Sequence, residues 1–532
     1  MPSQIDYQTA LENSTKDGRS LGSAALQMVR KYPGATAVSD VSGSLSRIKL
    51  AGAALALRRH LGLATDEKNV GILLPPGKGG TIVNLTLALM GRTAVNLNHT
   101  VGDSGLKRMC DMADVRTIVT AKKYTDRIGK PELDVRWVDV QALIPRISKL
   151  SVVLNMLKVF LLPASRLADA KPDDVACLIF SSGSTGDPKG AQLTHRQILA
   201  NIVGVHAHFD LKTNADGLLS PLPLFHSFGV SMGMWLPLVC GYGLTAHPDP
   251  TDARAIGNLV EQHKPTFLIG TPTFIRVYMR RVSEAQFASL QFVVVGAEKC
   301  PEDLRKAFKE KYGCELLEGY GCTELAPVVS ANQPENCIKD GNRPGSIGRP
   351  LTGIEVITIH PDTKKRLPLG ETGLLLVRSP ARMLGYLGRE DLTQEVFLHG
   401  GYDTGDIGYV DSDGFIFITG RLARFAKVGG EMVPMDLVEE KLMEALQEMA
   451  GATYEHELAI AAVPDTAKGE RLLLLYTSLP CDPGELIDRA EDLPALFRPR
   501  ARDAYQVDAL PVLGTGKRNL KKLKELAESL VS

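Results

Sequence analysis

A chain of 532 residues exceeds what one hydrophobic core organises, so two to four domains or subdomains are expected. With 44% hydrophobic and 23% charged residues it has the make-up of an ordinary globular protein, not of a disordered or membrane-spanning one. Lys+Arg and Asp+Glu are equal at 61 each, so no net field recruits nucleic acid, and DNA or RNA binding is disfavoured.

The first residues, MPSQIDYQTALENSTKDG, have neither a basic n-region nor an apolar h-region, so no secretory leader is expected. Cys110, Cys177, Cys240, Cys300, Cys314, Cys322, Cys337 and Cys481 are scattered, with no C-x-x-C and no histidine at zinc-ligand spacing. Reduced thiols in a cytoplasmic setting are the simplest reading.

From Tyr7 to about Leu61 the pattern is helical, with a glycine-bearing turn and an alanine-rich helix over Leu50 to Leu61. Val70 to Leu74 reads as a strand, Thr81 to Met90 as a helix, and Ala94 to Leu97 and Thr117 to Thr120 as strands. Gly77-Lys78-Gly79-Gly80 lacks the spacing of a nucleotide loop and is better explained as a helix start. This βαβ alternation implies a largely parallel, doubly wound sheet.

Residues 150–162, LSVVLNMLKVFLL, are too few to span a bilayer. Two readings stand side by side: a core or subunit-interface helix, or one lying in an anionic membrane surface with help from Lys149, Lys158 and Arg166.

Val175 to Phe180 is a short continuous apolar run, the mark of a strand buried on both faces. Ser181, Ser182, Gly183, Ser184, Thr185 and Gly186 follow, small and hydroxyl-bearing, so backbone N–H groups and hydroxyls can converge on one anion. Lys189 adds a compact positive charge, and Thr194 with Gln197 forms a capping box opening a helix from His195. Strand, loop, lysine, helix make a phosphate cradle. It is not G-x-x-x-x-G-K-[ST], because Asp187 and Pro188 stand between the second glycine and the lysine.

A second α/β region runs to about Ala331, with strands at Thr266 to Ile269 and Phe292 to Val295. After Glu315-Leu316-Leu317 comes E-G-Y-G-C-T-E, where α/β folds place ligands. Tyr320 offers a flat face to a purine, Thr323 a hydroxyl to a phosphate, and Glu324 a hard carboxylate suited to Mg²⁺. Residues 345–420 turn strand-rich and glycine-punctuated, a smaller β subdomain; Asp413-Gly414 reads as its hairpin turn and Asp403 as structural. A βα mixture of about a hundred residues ends the chain. His206 and His208 have no third ligand nearby and are read as ordinary polar residues.

Together, F-S-S-G-S-T-G-D-P-K-G, E-G-Y-G-C-T-E, Y-D-T-G-D and L-P-V-L-G-T-G-K resemble, in order, the motifs of the adenylate-forming (AMP-binding) acyl synthetases. The resemblance implies an α/β fold: a large N-terminal adenylation domain, 1–420, of doubly wound parallel sheets plus a β subdomain, and a small mobile α+β lid, 421–532. It implies ATP and Mg²⁺, with Glu324 as metal ligand and Thr323 and the 181–189 loop on the phosphates. Gly296, Ala297 and Glu298, with Gly319, Tyr320 and Gly321, would wall the adenine. Asp406 would hold the ribose hydroxyls, backed by Arg421. His226 in P-L-P-L-F-H-S-F-G would gate the acyl carboxylate, and Lys517 would act at the α-phosphate. Ala423 stands at the hinge position, where the family commonly has Asp or Lys, and Gly429-Gly430 would approach the thiol acceptor.

More narrowly, PLPLFHSFG, VVGAEK, LLEGYGCTELAPVVSAN and GRLARFAKVGGEMV are similar to the acyl-[acyl-carrier-protein] synthetase half of bifunctional 2-acylglycerophosphoethanolamine acyltransferases. That implies a medium- or long-chain fatty acid and transfer to a phosphopantetheine thiol of acyl carrier protein, with a long-chain fatty acid–CoA ligase as the alternative. An adenylate-binding protein that kept the fold without turnover is the alternative from a different class.

Overall fold

The computed structural model describes residues 19–182, 188–335, 337–428, 431–450, 457–465, 469–512 and 518–531. Gly183, Ser184, Thr185, Gly186, Gly429, Gly430 and Lys517, and the start of the expected N-terminal helix, lie outside them. The fold is α/β: two large sheets wound with helices, a β subdomain and a small α+β C-terminal part.

The first sheet has six strands in the order Arg136–Asp139, Thr117–Thr120, Asn69–Leu73, Thr93–Asn96, Val175–Ser182 and Pro188–Thr194. All but the last run parallel. Thr93–Asn96 and Thr117–Thr120 are buried throughout and Asn69–Leu73 all but Asn69, as expected of strands covered on both faces, whereas the edge strand Arg136–Asp139 buries only Val138. Gly77 precedes the helix Lys78–Leu89 at φ +134°, and Asp40 accepts from the Lys78 N–H at 2.9 Å, so this glycine run is a helix start.

The second sheet has nine strands, parallel from Glu315–Gly321 through Phe292–Val295, Phe267–Gly270, Gly217–Ser220 and Gly243–Ala246 to Thr36–Asp40. Its far edge corrects one expectation: Thr36–Asp40 and Gly43–Ser46 form an antiparallel hairpin inside the stretch read as helical. Each run is short, and pairing with Gly243–Ala246 outweighs local preference there.

The phosphate cradle also differs from its expected layout. Pro188–Thr194 is a strand, paired antiparallel with Val175–Ser182, so Lys189 sits on a second strand opposite Ser181, an element that the expected order of strand, loop, lysine and helix did not contain. The helix His195–His208 follows, opened by the expected Thr194/Gln197 capping box.

Glu355–Ile359, Gly373–Arg378, Phe397–Leu398, Gly401–Val410 and Ile416–Arg421 build the antiparallel β subdomain. Asp403 accepts from the Gly405 N–H and Asp411 from the Asp413 N–H, so both turns are explained without ligands. Beyond Arg421 a five-stranded sheet packs with the helices Met435–Ala450 and Leu520–Val531 over cores of its own. Buried Arg424 ties that part together, donating to Asp436 at 2.7 Å, to the Ile460 carbonyl at 2.8 Å and to Glu439.

Lys149–Leu161 is a helix, but the core reading fails: among its residues Val159 alone is buried. No described helix is long and apolar enough to cross a membrane.

Candidate active site

A cavity of about 490 Å³ opens at the C-terminal ends of the parallel strands of the second sheet. One wall is Gly296, Ala297 and Glu298, where the strand Phe292–Val295 ends and Ala297 turns the chain at φ +68°. Glu298 accepts from the hydroxyl of Thr273, which lines the cavity beside it, at 2.6 Å. Gly319, Tyr320, Gly321 and Thr323 line the same end. The opposite end is apolar and walled by Phe209, Leu211, Met232, Leu236, Phe267 and Phe292, with Phe292 stacked between Phe209 at 5.4 Å and Phe267 at 5.6 Å. The cavity therefore suits a ligand with a flat polar head and an apolar tail.

Gly321 is fixed by contact: a Cβ there would lie 2.1 Å from the Pro327 carbonyl oxygen. Gly321→Ala is expected to push this strand from its antiparallel neighbour Val328–Ala331 and cost about 1–3 kcal/mol of stability, read from urea unfolding.

The structure brings Tyr320, Asp406 and Arg421 together. Asp406, 3% exposed, accepts from the Tyr320 hydroxyl and, at 2.9 Å, from Arg421 Nε. Burial raises its affinity for a proton, and Arg421 and the Tyr320 hydrogen bond oppose that. Arg421 faces Asp406 across the hairpin of Gly401–Val410 and Ile416–Arg421, a register that makes the pair.

Thr323 and Glu324 follow on a 3₁₀ turn that ends the Glu315–Gly321 wall. Thr323 is within 3.2 Å of the Ser227 hydroxyl. Glu324 is buried, and its Oε1 accepts from the Tyr386 hydroxyl at 2.7 Å. Lys189 Nζ lies 5.5 Å above the Tyr386 ring, so the lysine hairpin and the carboxylate meet through one aromatic residue. No group of three or more His, Cys, Asp or Glu side chains able to hold a metal occurs among the described residues. One hard carboxylate beside a hydroxyl fits Mg²⁺, which keeps its waters and shares substrate phosphates.

His226 is exposed on the cavity rim with its ring 4.7 Å from Phe225. The segment after it, Phe228–Trp235, is a π-helix, a turn type frequent at functional sites. Ala423 lies in the turn Leu422–Arg424, directly after Arg421. His206 and His208 are elsewhere: His208 bonds the Ala331 carbonyl at 2.9 Å and is depressed to about 4 by burial, and His206 bonds Tyr242. Sequence reasoning missed Tyr386, which lies in none of the motifs, and gave no role to Ser227 and Glu318, which lie inside two of them; the Glu318 carboxylate accepts from the Cys300 N–H at 3.1 Å.

Residues 27–387 match the family described as AMP-binding enzyme. A feruloyl-CoA synthase from Amycolatopsis sp. is 32% identical over 413 residues, 74% of this chain and 80% of its own length. A long-chain-fatty-acid–CoA ligase from Bacillus subtilis is 32% identical over 306 residues, 56% of this chain, and the match spans about half, 51%, of that relative. In fold, the chain is similar to o-succinylbenzoate coenzyme A synthetase from Bacillus subtilis in complex with AMP, with a TM-score of 0.78 at 22% identity over 94% of this chain and 98% of that one. ATP-bound MatB from Rhodopseudomonas palustris gives a TM-score of 0.77 at 21% identity over 97% and 100%. With its motifs in order, its cavity at the strand ends and a family match over most of its length, the chain belongs to the AMP-binding enzymes.

Proposed function

We propose that this protein activates a medium- or long-chain fatty acid with ATP to an acyl-adenylate and pyrophosphate, then transfers the acyl group to a phosphopantetheine thiol, releasing AMP. The observation that carries the reading is the two-ended cavity, with glycine-rich backbone and Tyr320 at one end and stacked phenylalanines at the other. Domains are proposed as 1–420 for adenylation, with a β-rich subdomain over about 345–420, and 421–532 for a lid. Away from the hinge, the exposed pairs Lys299–Glu440 and Lys427–Asp362 link the two parts and hold little, about 0–1 kcal/mol each, while Leu422 and Phe425 pack on the β-subdomain core beside the hinge itself; both support a lid able to move about Ala423.

In this reading Gly296 to Glu298 and Gly319 to Gly321 flank the adenine, and Asp406 and Arg421 fix the ribose. The 181–186 loop with Lys189 takes the phosphates, Thr323 adds a hydroxyl there, and His226 sits at the acyl carboxylate. Glu324 would hold Mg²⁺, which when bound offsets phosphate charge as pyrophosphate leaves. Tyr386 orients the Glu324 carboxylate by its 2.7 Å hydrogen bond. Glu324→Gln is expected to raise the Mg²⁺ concentration needed for half-maximal rate about tenfold, and Tyr386→Phe to raise it less. Mg²⁺ titration of pyrophosphate release checks both; an unchanged Mg²⁺ curve for Glu324→Gln overturns the assignment.

The acceptor is proposed to be acyl carrier protein, on the resemblance of PLPLFHSFG and GRLARFAKVGGEMV, in a cytoplasmic enzyme. CoA is the second reading, favoured by the CoA ligases among its relatives. Carrier proteins are acidic, and a docking face needs clustered cations. Arg498 is spoken for, donating to the carbonyls of Leu493 and Glu491, each at 2.9 Å, whereas Arg500 and Arg502 are exposed. The test offers radiolabelled long-chain fatty acid, ATP and Mg²⁺ with holo-carrier protein or CoA at matched thiol. Carrier acylation weakened by salt and by Arg500→Ala/Arg502→Ala is expected; acyl-CoA without carrier acylation overturns the acceptor, and no pyrophosphate with any fatty acid overturns the reaction.

A further inference from the structure

The helix Lys149–Leu161 has two different apolar sides. Met156 and Val152 lie against Gly52 of the helix Arg47–Ala64, and Val159 is fully buried. Arg30, on the helix Leu21–Lys31, closes the C-terminal end by donating to the carbonyls of Val159, at 2.7 Å, and Leu162. The other side carries Leu150, Val153, Leu154, Leu157, Phe160 and Leu161, spaced by three and four residues as one stripe and 49% to 77% exposed. Single exposed apolar residues are common on protein surfaces, whereas a continuous stripe on one helix calls for a partner.

Charge identifies that partner. From Val140 to Ala168 the chain contains no aspartate or glutamate, while Arg146, Lys149, Lys158 and Arg166 are exposed around the stripe. The two helices packed beneath, Leu21–Lys31 and Arg47–Ala64, contain no acid either, and they expose Lys31, Lys49 and Arg59. A second copy of the chain seated on this face by two-fold symmetry would set its cations against the same cations. A bilayer with anionic headgroups satisfies both features: apolar side chains enter the acyl boundary while Lys and Arg meet phosphates.

We propose that this face docks the protein on an anionic lipid bilayer, with the Lys149–Leu161 helix lying in the interface plane. The docking itself rests on the helix and its surroundings, so it is measurable whether or not the proposed reaction holds.

The test sediments the full chain with vesicles of pure phosphatidylcholine and of phosphatidylcholine mixed with phosphatidylglycerol. Leu154→Glu/Leu157→Glu and Lys149→Glu/Lys158→Glu lie outside the cavity, and both are expected to keep the wild-type unfolding midpoint. Sedimentation with the anionic vesicles, weaker in high salt, is expected. Each surface cation contributes about fivefold to partitioning, so the lysine reversal is expected to lower it by at least about tenfold, as is the leucine pair. Absence of binding to the anionic vesicles, equal binding to both vesicle types, or undiminished binding of the lysine-reversed variant would overturn the proposal. So would a dimer in solution that Leu154→Glu/Leu157→Glu converts to monomer, since the occupant is then a second copy.

Discussion

Lys517→Ala is expected to slow acyl-adenylate formation by about 10²–10³ while largely sparing thioester formation from a supplied acyl-adenylate. In the first half-reaction a carboxylate approaches a phosphorus hedged by anionic oxygens, and one point charge between them offsets the repulsion. In the second a thiol meets a mixed anhydride whose pyrophosphate has gone, so the same charge has little left to do. The lysine lies in L-P-V-L-G-T-G-K, outside the described residues, and the role follows from the resemblance and from this electrostatic argument. Lys517→Arg is the informative companion: it keeps the charge, and restores rate only if a broader, planar cation fits the same space. Single-turnover rates for both half-reactions, with isolated acyl-adenylate in the second, are the measurement. Equal losses in both would overturn the division of labour.

What the sequence made legible follows from how local each signal is. Phe292–Val295 and Val175–Ser182 are strands because a run of large apolar side chains needs no distant partner to declare itself. Thr36–Asp40 and Gly43–Ser46 needed one: short and half polar, they become strands by pairing at the edge of a sheet whose other members all lie between Gly217 and Pro350. The strand carrying Lys189 was hidden for a similar reason, since only the last four residues of P-K-G-A-Q-L-T alternate and its first three look like loop. The Lys149–Leu161 helix was visible as a helix, but a helix with apolar residues on most of its circumference does not say which side is buried.

The site divides along the same line. Each motif announced its own residues, yet the contacts between motifs belong to the fold. Tyr386 reaches Glu324 across 62 residues, and nothing around Tyr386 marks it as more than a core aromatic. Tyr320 was read for its flat face; its hydroxyl, bonded to Asp406 across 86 residues, is what sets the angle of that face.

That bond shapes the expected result for Asp406. A carboxylate has about four acceptor positions, of which Arg421 Nε and the Tyr320 hydroxyl take two, so two remain for a pair of ribose hydroxyls. Hydrogen bonds to a charged group contribute about 1.5–3 kcal/mol each. Asp406→Ala is therefore expected to raise the KM for ATP by roughly a hundredfold or more, with the larger part of the effect in ATP binding. The substitution also leaves the Tyr320 hydroxyl without its acceptor in a buried place, a penalty of about 1–3 kcal/mol that belongs to folding. Asp406→Asn separates the two: its amide oxygen can still accept from Tyr320, so most of the stability returns, while the charge-assisted ribose bonds and the Arg421 ion pair do not. Pyrophosphate release against ATP concentration, set beside urea unfolding of the same variants, reads both quantities. An Asp406→Asn protein with wild-type KM for ATP would remove the ribose role and leave Asp406 as the residue that holds Tyr320 in place.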